Sequence, residues 1–201
     1  MLRWAANGGL VGAAASIAGL MLSRRQFSRG RLVISISGII IGLLLVVVLW
    51  SWWHTAQRVP AIHDITTDTE NPPAFVSVLP LRKDSPNTAE YGGPDLAARQ
   101  RAGYPDIVPA VLPVPPAQAF DRALQTVHDM GWTLVDSNAA EGRIEATDTT
   151  FWFAFKDDIV IRITPADRGS RVDLRSVSRV GRSDVGTNAK RIRGYLKKLT
   201  G

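Results

Sequence analysis

The sequence predicts an α+β fold: an antiparallel sheet of about four to five strands flanked by two helices, in the order α-β-β-β-β-α, behind an N-terminal transmembrane helical hairpin. Three observations predict it. Residues 32–53 read LVISISGIIIGLLLVVVLWSWW and carry no charge. Residues 132–177 break into short β-branched and aromatic runs joined by links too short for parallel crossovers. Apolar residues at helical spacing stand on both sides of those runs.

The apolar head comes first. A helix over Leu32–Trp53 would be about 33 Å long, enough to cross the hydrocarbon core of a bilayer. Trp50, Trp52 and Trp53 close it, and Trp4 opens an earlier uncharged run, Trp4–Leu22. Indoles favour the headgroup layer, so these ends read as membrane boundaries. The earlier run is richer in Ala and Gly. The expectation is two helices, 4–22 and 32–53, with Gly8–Gly12 and Gly38–Gly42 offering close-approach faces. The basic loop 23–31 holds Arg24, Arg25, Arg29 and Arg31. Positive charge on a short loop marks the cytoplasmic side, which sends the body outward. Ser23–Phe27 also spells the core of a twin-arginine export signal, with Met21 just upstream as a second candidate start, and this alternative sends the body to the same side.

The stretch 54–115 is expected to be an extended, Pro-rich strap or tether. Asp64–Thr69 suits side-chain-capped turns, and Asn71-Pro72-Pro73 forces an extended path. Asp64, Asp68 and Glu70 lack the glycine and spacing of a calcium loop, so the turn reading is preferred. Gly92-Gly93-Pro94 introduces a short helix, Pro94–Arg101, with Gly103 as its stop.

The α+β domain is expected over 116–201. Phe120, Ala123, Leu124, Val127 and Met130 form one helical stripe, ended by Gly131. Strand-like runs follow at Trp132–Asp136, Arg143–Thr147, Thr150–Phe155, Ile159–Thr164 and Arg171–Val177, and the second and third also read as one long bent strand. The alternation of Ile159, Ile161 and Ile163 with that of Val172 and Leu174 requires Arg162 opposite Asp173. Arg143 and Glu145 share the polar face. The Phe151, Phe153, Phe155 alternation around Trp152 implies a sheet covered on both faces there. A last helix near Val185–Leu199 carries Ala189, Ile192, Leu196 and Leu199.

Charge and composition bound the chemistry. The net charge of +6 and pI near 10.2 suggest a nucleic-acid binder only as an average. Residues 1–53 hold five Arg and no acid. Residues 54–160 hold 8 bases and 15 acids, net −7; residues 161–201 hold 11 bases and 3 acids, net +8. Zero Cys excludes disulfides, thiolate metal sites and thiol catalysis. The three His lack metal-ligand spacing, and no cofactor or metal is expected. Gly181 to Gly186 has Walker-like spacing but is followed by Thr187 and Asn188, so nucleotide hydrolysis is rejected. The loop from Arg175 into the last helix is the candidate anion site, through Arg162, Arg175, Ser178, Arg179, Arg182, Ser183, Asn188 and Arg191. The bland alternative is a capped helix whose arginines pair with the acidic half of the domain. Asp157, Asp158 and Asp184 are weak acid/base candidates.

Four segments resemble the domain of unknown function 1499 family: AIHDITTDTENPPAF (61–75), MGWTLV (130–135), GRIEATDTTFWFAFKDDIVIRI (142–163) and RVDLRSVSRVGRSDVGTNAKRIR (171–193). The resemblance covers about residues 61–200. It implies kinship of fold and a domain placed behind apolar helices, and it brings no established activity. Its strongest motif falls on Asp157, Asp158, Arg162, Asp173, Arg175, Ser176, Ser178, Arg179, Arg182, Ser183, Asp184, Asn188 and Arg191. The expected protein is a multi-pass protein of a bacterial inner membrane with a periplasmic binding or envelope-structural domain. Its expected partners are the lipid bilayer and an anionic ligand or lipid headgroup, not nucleic acid. The rival is a membrane-tethered hydrolase using the three acidic residues.

Overall fold

The computed structural model describes residues 8, 11–12, 14–19, 29–151 and 153–201. The chain divides into two compact units, Met1–Arg58 and Val59–Gly201.

The first unit is dominated by helix α1, Arg29–Arg58, whose stretch Leu32–Arg58 is long and apolar enough to cross a membrane. Ile34, Ile40, Leu44 and Val47 point outward from it, an arrangement that water would penalise and lipid would accept. The hydroxyls of Ser51 and Thr55 donate to the carbonyls of Val48 and Ser51, satisfying themselves within the helix. Trp50 and Trp53 lie 5.5 Å apart near its C-terminal end. Among the described residues this is the one helix that meets the length and hydropathy of a span. Residues 14–19 are helical, and Gly38 of α1 is so close to Ser16 that a Cβ there would sit 2.7 Å from its hydroxyl. Among the described residues no such neighbour stands by Gly8 or Gly12. The expected helix 4–22 and the loop 23–28 fall largely outside the described residues, so the spanning hairpin is not established. Arg29 and Arg31, expected in the loop, belong to α1.

The second unit is a six-stranded antiparallel sheet with helices. Its elements are β1 (Asp64–Thr66), a 3-10 turn (Leu79–Arg82), α2 (Gly93–Gly103), β2 (Ala110–Leu112), α3 (Pro116–Asp129), β3 (Thr133–Asn138), β4 (Arg143–Thr149), β5 (Lys156–Ala166), β6 (Gly169–Ser178) and α4 (Thr187–Thr200). From α3 onward the order is the expected α-β-β-β-β-α. The sheet runs β1-β6-β5-β4-β3, and β2 shares the outer edge of β6 with β1. The two extra strands come from the Pro-rich stretch, so residues 59–115 fold within the same unit as 116–201. Three-residue strands carry too little alternation to announce themselves.

Thr150–Phe155 is the one expected strand that the structure replaces. Strand pairing stops at Thr149 opposite Lys156. The Ala154 amide donates to the Thr150 carbonyl at 3.0 Å, and Ala154 takes a φ of 50°. Phe151, Phe153 and Phe155 therefore lie in the β4–β5 turn. Phe151, Phe153 and Phe155 are 89%, 61% and 49% exposed, so their alternation does not report two covered sheet faces. β-propensity favours such residues in strands, but a hairpin must spend residues on reversing direction, and these are the ones between the paired runs.

Alternation assigns the two faces. Ile144, Ala146, Ile159, Ile161, Ile163, Val172 and Leu174 form the apolar face under α3 and α4. α3 contributes Ala119, Phe120, Ala123 and Val127, and α4 contributes Ala189, Ile192, Tyr195 and Leu199. Trp132 stacks on Tyr195 at 5.3 Å, and the Tyr195 hydroxyl donates to the Ala123 carbonyl at 2.8 Å, which ties the helices together. Gly169 has a φ of 118°, and a Cβ there would collide with the Leu112 carbonyl of β2, so the β5–β6 turn admits no side chain at that position.

Ile161 lies at the centre of the apolar face and is fully buried. Ile161→Ala should cost about 2–5 kcal/mol by loss of transfer energy plus a cavity. Phe153→Ser, in the exposed turn, should stay within about 0.5 kcal/mol. Urea unfolding of the full chain in detergent checks both.

Candidate functional site

The opposite face of the sheet carries charge, and it is covered. Arg143, Glu145, Thr147, Asp158, Val160, Arg162, Asp173, Arg175 and Val177 alternate onto it, as the register Arg162↔Asp173 and Glu145↔Val160 requires. The expected cross-strand pairing of Arg162 with Asp173 is present, with a 3.1 Å ion pair. A register shift between Leu134 and Asp136 places Asp136 opposite Glu145. The segment 67–91 lies over this face.

Each buried charge has a partner that closes the cover. The Glu145 carboxylate accepts the backbone N–H groups of Val76, Ser77 and Val78 at 2.8, 3.2 and 2.8 Å, and Arg143 at 2.5 Å. Arg175 makes a two-pronged pair with Asp64 at 3.0 and 2.8 Å and donates to the carbonyls of Pro73 and Ala89. Its guanidinium lies over the rings of Phe75 and Tyr91, at 5.2 and 5.4 Å from their centroids. Burial, with the Asp64 charge beside it, pushes the Tyr91 phenol up to about 12. Asp158 accepts Arg82 at 2.5 Å, Arg179 at 2.8 and 2.9 Å and the Thr147 hydroxyl at 2.7 Å. Asp68 takes Arg162 and Arg171 on one oxygen and the amides of Glu70 and Asn71 on the other, the geometry of an Asx turn.

The strand–loop–helix corner after β6 is a second polar frame, on the helix side. Asn188 accepts the Ser176 hydroxyl at 2.7 Å and Arg191, and donates to the His63 carbonyl and the Ser178 hydroxyl, both at 3.0 Å. Arg191 also pairs with Asp157 at 2.6 Å and Asp148 at 2.8 Å. Asp184 accepts the amides of Gly186 and Asn188 at the start of α4. Burial pushes its carboxyl above the ordinary value, against the pull of those two amides.

The sequence-derived candidates are thus distributed as follows. Arg162 and Arg175 lie under the strap, and Arg179 pairs with Asp158 at the edge of that layer. Ser178, Asn188 and Arg191 build the corner. Ser183 accepts the Val185 amide at 3.2 Å within the loop. Arg182 is exposed, with no ion pair among the described residues. Asp157 and Asp158, adjacent in sequence, point to opposite faces and are held by different arginines. An acid/base pair needs convergent carboxylates with separated proton affinities, and this arrangement does not provide it. No group of three or more His, Asp or Glu side chains among the described residues could hold a metal ion. Sequence reasoning missed Arg82 and the central place of Glu145. Arg82 stands in an irregular segment without periodicity, and Glu145 gave a signal only in its alternation with buried residues.

Asp158 supplies a pH test with a definite sign. Burial alone would raise its carboxyl, but the hydrogen bonds from Arg179, Thr147 and Arg82 outweigh that and hold it below the ordinary value. Its contribution is therefore present above the unfolded value of about 3.9 and is lost as pH falls through the folded one. Asp158→Asn should cost about 3–5 kcal/mol at pH 7, by leaving two arginines short of their counter-ion, and the gap to the parent should narrow below pH 4. Urea midpoints across pH 3–7 measure it.

Residues 64–199 match the family model described as "Protein of unknown function (DUF1499)". None of the curated proteins matches the chain. The match spans most of the chain and almost all of the second unit, and the protein belongs to this family.

Proposed function

We propose that this family member is a membrane-anchored, non-catalytic binding or envelope-structural module, set in a bacterial-type inner membrane with its Val59–Gly201 domain on the outer, periplasmic side. One observation carries the reading. An apolar helix with outward-facing Ile, Leu and Val precedes, in sequence, a domain whose motif residues are mostly consumed in internal pairs. Motif conversion into a frame argues for a rigid display platform rather than for a reaction centre. The orientation rests on Arg24, Arg25, Arg29 and Arg31 flanking the start of the apolar helix, the side that positive charge keeps in the cytoplasm.

An anionic ligand at the corner after β6 remains part of the proposal in a reduced form. Arg175, Arg179 and Arg191 have carboxylate partners, so the available cation of that set is Arg182. An exposed arginine suits a lipid phosphate, an electrostatic attachment worth about 1 kcal/mol where the side chain reaches the membrane surface.

A reporter that is active only outside the cytoplasm, fused after Gly201, should be active in intact cells. A reporter that fluoresces only in the cytoplasm should be dark at the same position. The reverse pair of results would place the domain inside and remove the proposal.

A further inference from the structure

α4 is the most one-sidedly charged element of the Val59–Gly201 unit. Its 14 residues carry Lys190, Arg191, Arg193, Lys197 and Lys198 and no acid. Arg191 turns inward to Asp157 and Asp148, and the other four bases stand on the exposed face. Arg193 pairs with Asp106 at 2.5 and 2.7 Å. Lys198 reaches Asp129 only at 3.6 Å, in a half-exposed pair worth little in water. Lys190 and Lys197 are exposed and make no ion pair among the described residues.

The centre of this face is a glycine. At about 100° per residue, Lys190 and Lys197 lie about 40° and 60° to one side of Gly194, and Lys198 about 40° to the other. Gly194 is exposed in mid-helix, where glycine holds an α-helix less well than alanine does. Nothing inside the domain asks for it. It takes no positive φ, and a Cβ there would meet only the Met130 methyl, at 3.7 Å, an ordinary van der Waals contact. Alanine would fit and would stiffen the helix. The gap among the side chains is open to something outside the domain. It is a shallow seat floored by backbone, with half-buried Met130 at its rim and ammonium groups around it.

We infer that the exposed face of α4 is a docking surface for an acidic α-helix of a partner protein, seated at Gly194 between Lys190 and Lys197. Two features select a helix. Packed helix axes lie about 8–10 Å apart, and the near limit is reached where a small residue stands at the contact. Lys190 and Lys197 are two turns apart, about 10.5 Å along the axis, so carboxylates two turns apart on a helix lying along α4 meet both. A phosphate, free or on a lipid, needs only the ammonium tips, and a missing Cβ does nothing for it. Met130 is unbranched and polarisable, and it adapts to an apolar side chain of the partner. This surface is separate from Arg182. Its use does not depend on which side of a membrane the domain faces, so its failure would leave the membrane reading untouched.

The full-length chain in detergent micelles is titrated against a fluorescent, hydrocarbon-stapled alanine-based helix with glutamates at i, i+3 and i+7, read by anisotropy. A second stapled helix of the same composition spreads its glutamates around the axis, and inorganic polyphosphate is the third probe. The striped helix should bind about tenfold or more tighter than the spread one. Lys190→Glu with Lys197→Glu should weaken it about tenfold or more, as attraction becomes repulsion. Gly194→Gln should weaken it by a similar factor and Gly194→Ala by less. The thermal midpoint of both Gly194 variants should nevertheless rise, by about 2–5 °C, because either residue is the better helix former. A glycine kept for the fold would lower the midpoint, and that result overturns the inference. A striped helix that binds no better than the spread one overturns it as well. Affinity lost on charge reversal but unchanged in both Gly194 variants, with polyphosphate bound alike by all three glycine-position forms, overturns it in favour of a general anion surface. Light scattering of the chain alone gives the last outcome: self-association abolished by charge reversal overturns it in favour of a second copy.

Discussion

The domain depends on matched burial of charge on one face of its sheet. Arg175 is almost wholly removed from water, and it is tolerable there because Asp64 meets it with both oxygens, two backbone carbonyls accept two more of its N–H groups and the rings of Phe75 and Tyr91 lie against its guanidinium. An unpaired guanidinium in that position would cost several kcal/mol. The same logic applies to Glu145 and Asp158. Each is fully buried, and each is satisfied only if the segment 67–91 lies in one arrangement over the sheet.

That dependence explains how a Pro-rich segment whose one regular element is the four-residue 3-10 turn Leu79–Arg82 becomes ordered. It contributes few apolar contacts: Phe75 and Val78 are buried against Val160 and Val177, and little else. Its order comes instead from backbone amides and carbonyls that complete the coordination of buried ions. Such a cover is specific, because a slip of one residue would leave a carboxylate or a guanidinium without its partners. The corner after β6 works similarly at smaller scale. Asn188 uses both ends of its amide to hold β6, α4 and the chain entering β1.

The charge segregation of the sequence takes its meaning from these pairs. The basic C-terminal part and the acidic middle part are two halves of one internal set: Arg175 with Asp64, Arg179 with Asp158, Arg191 with Asp157 and Asp148, Arg193 with Asp106. The +8 end presents much less free positive charge than its composition suggests. The charged residues of the corner motif are therefore largely taken up in the frame of the fold, and Arg182 is the exposed exception among them.

By itself the sequence determined whatever obeys a period or a length. The uncharged run of α1, the stripes of α3 and α4 and the alternation that sets Arg162 opposite Asp173 are local patterns, and each is present. It also showed which residues are charged, but not which ion pairs they make. Only the tertiary structure decided that, since Asp64 and Arg175 are 111 positions apart and meet through sheet order, which no local pattern encodes. It likewise decided that Thr150–Phe155 turns rather than extends. Aromatic alternation is the same in a strand and in an exposed hairpin tip, and the register of β4 on β5 is what tells them apart.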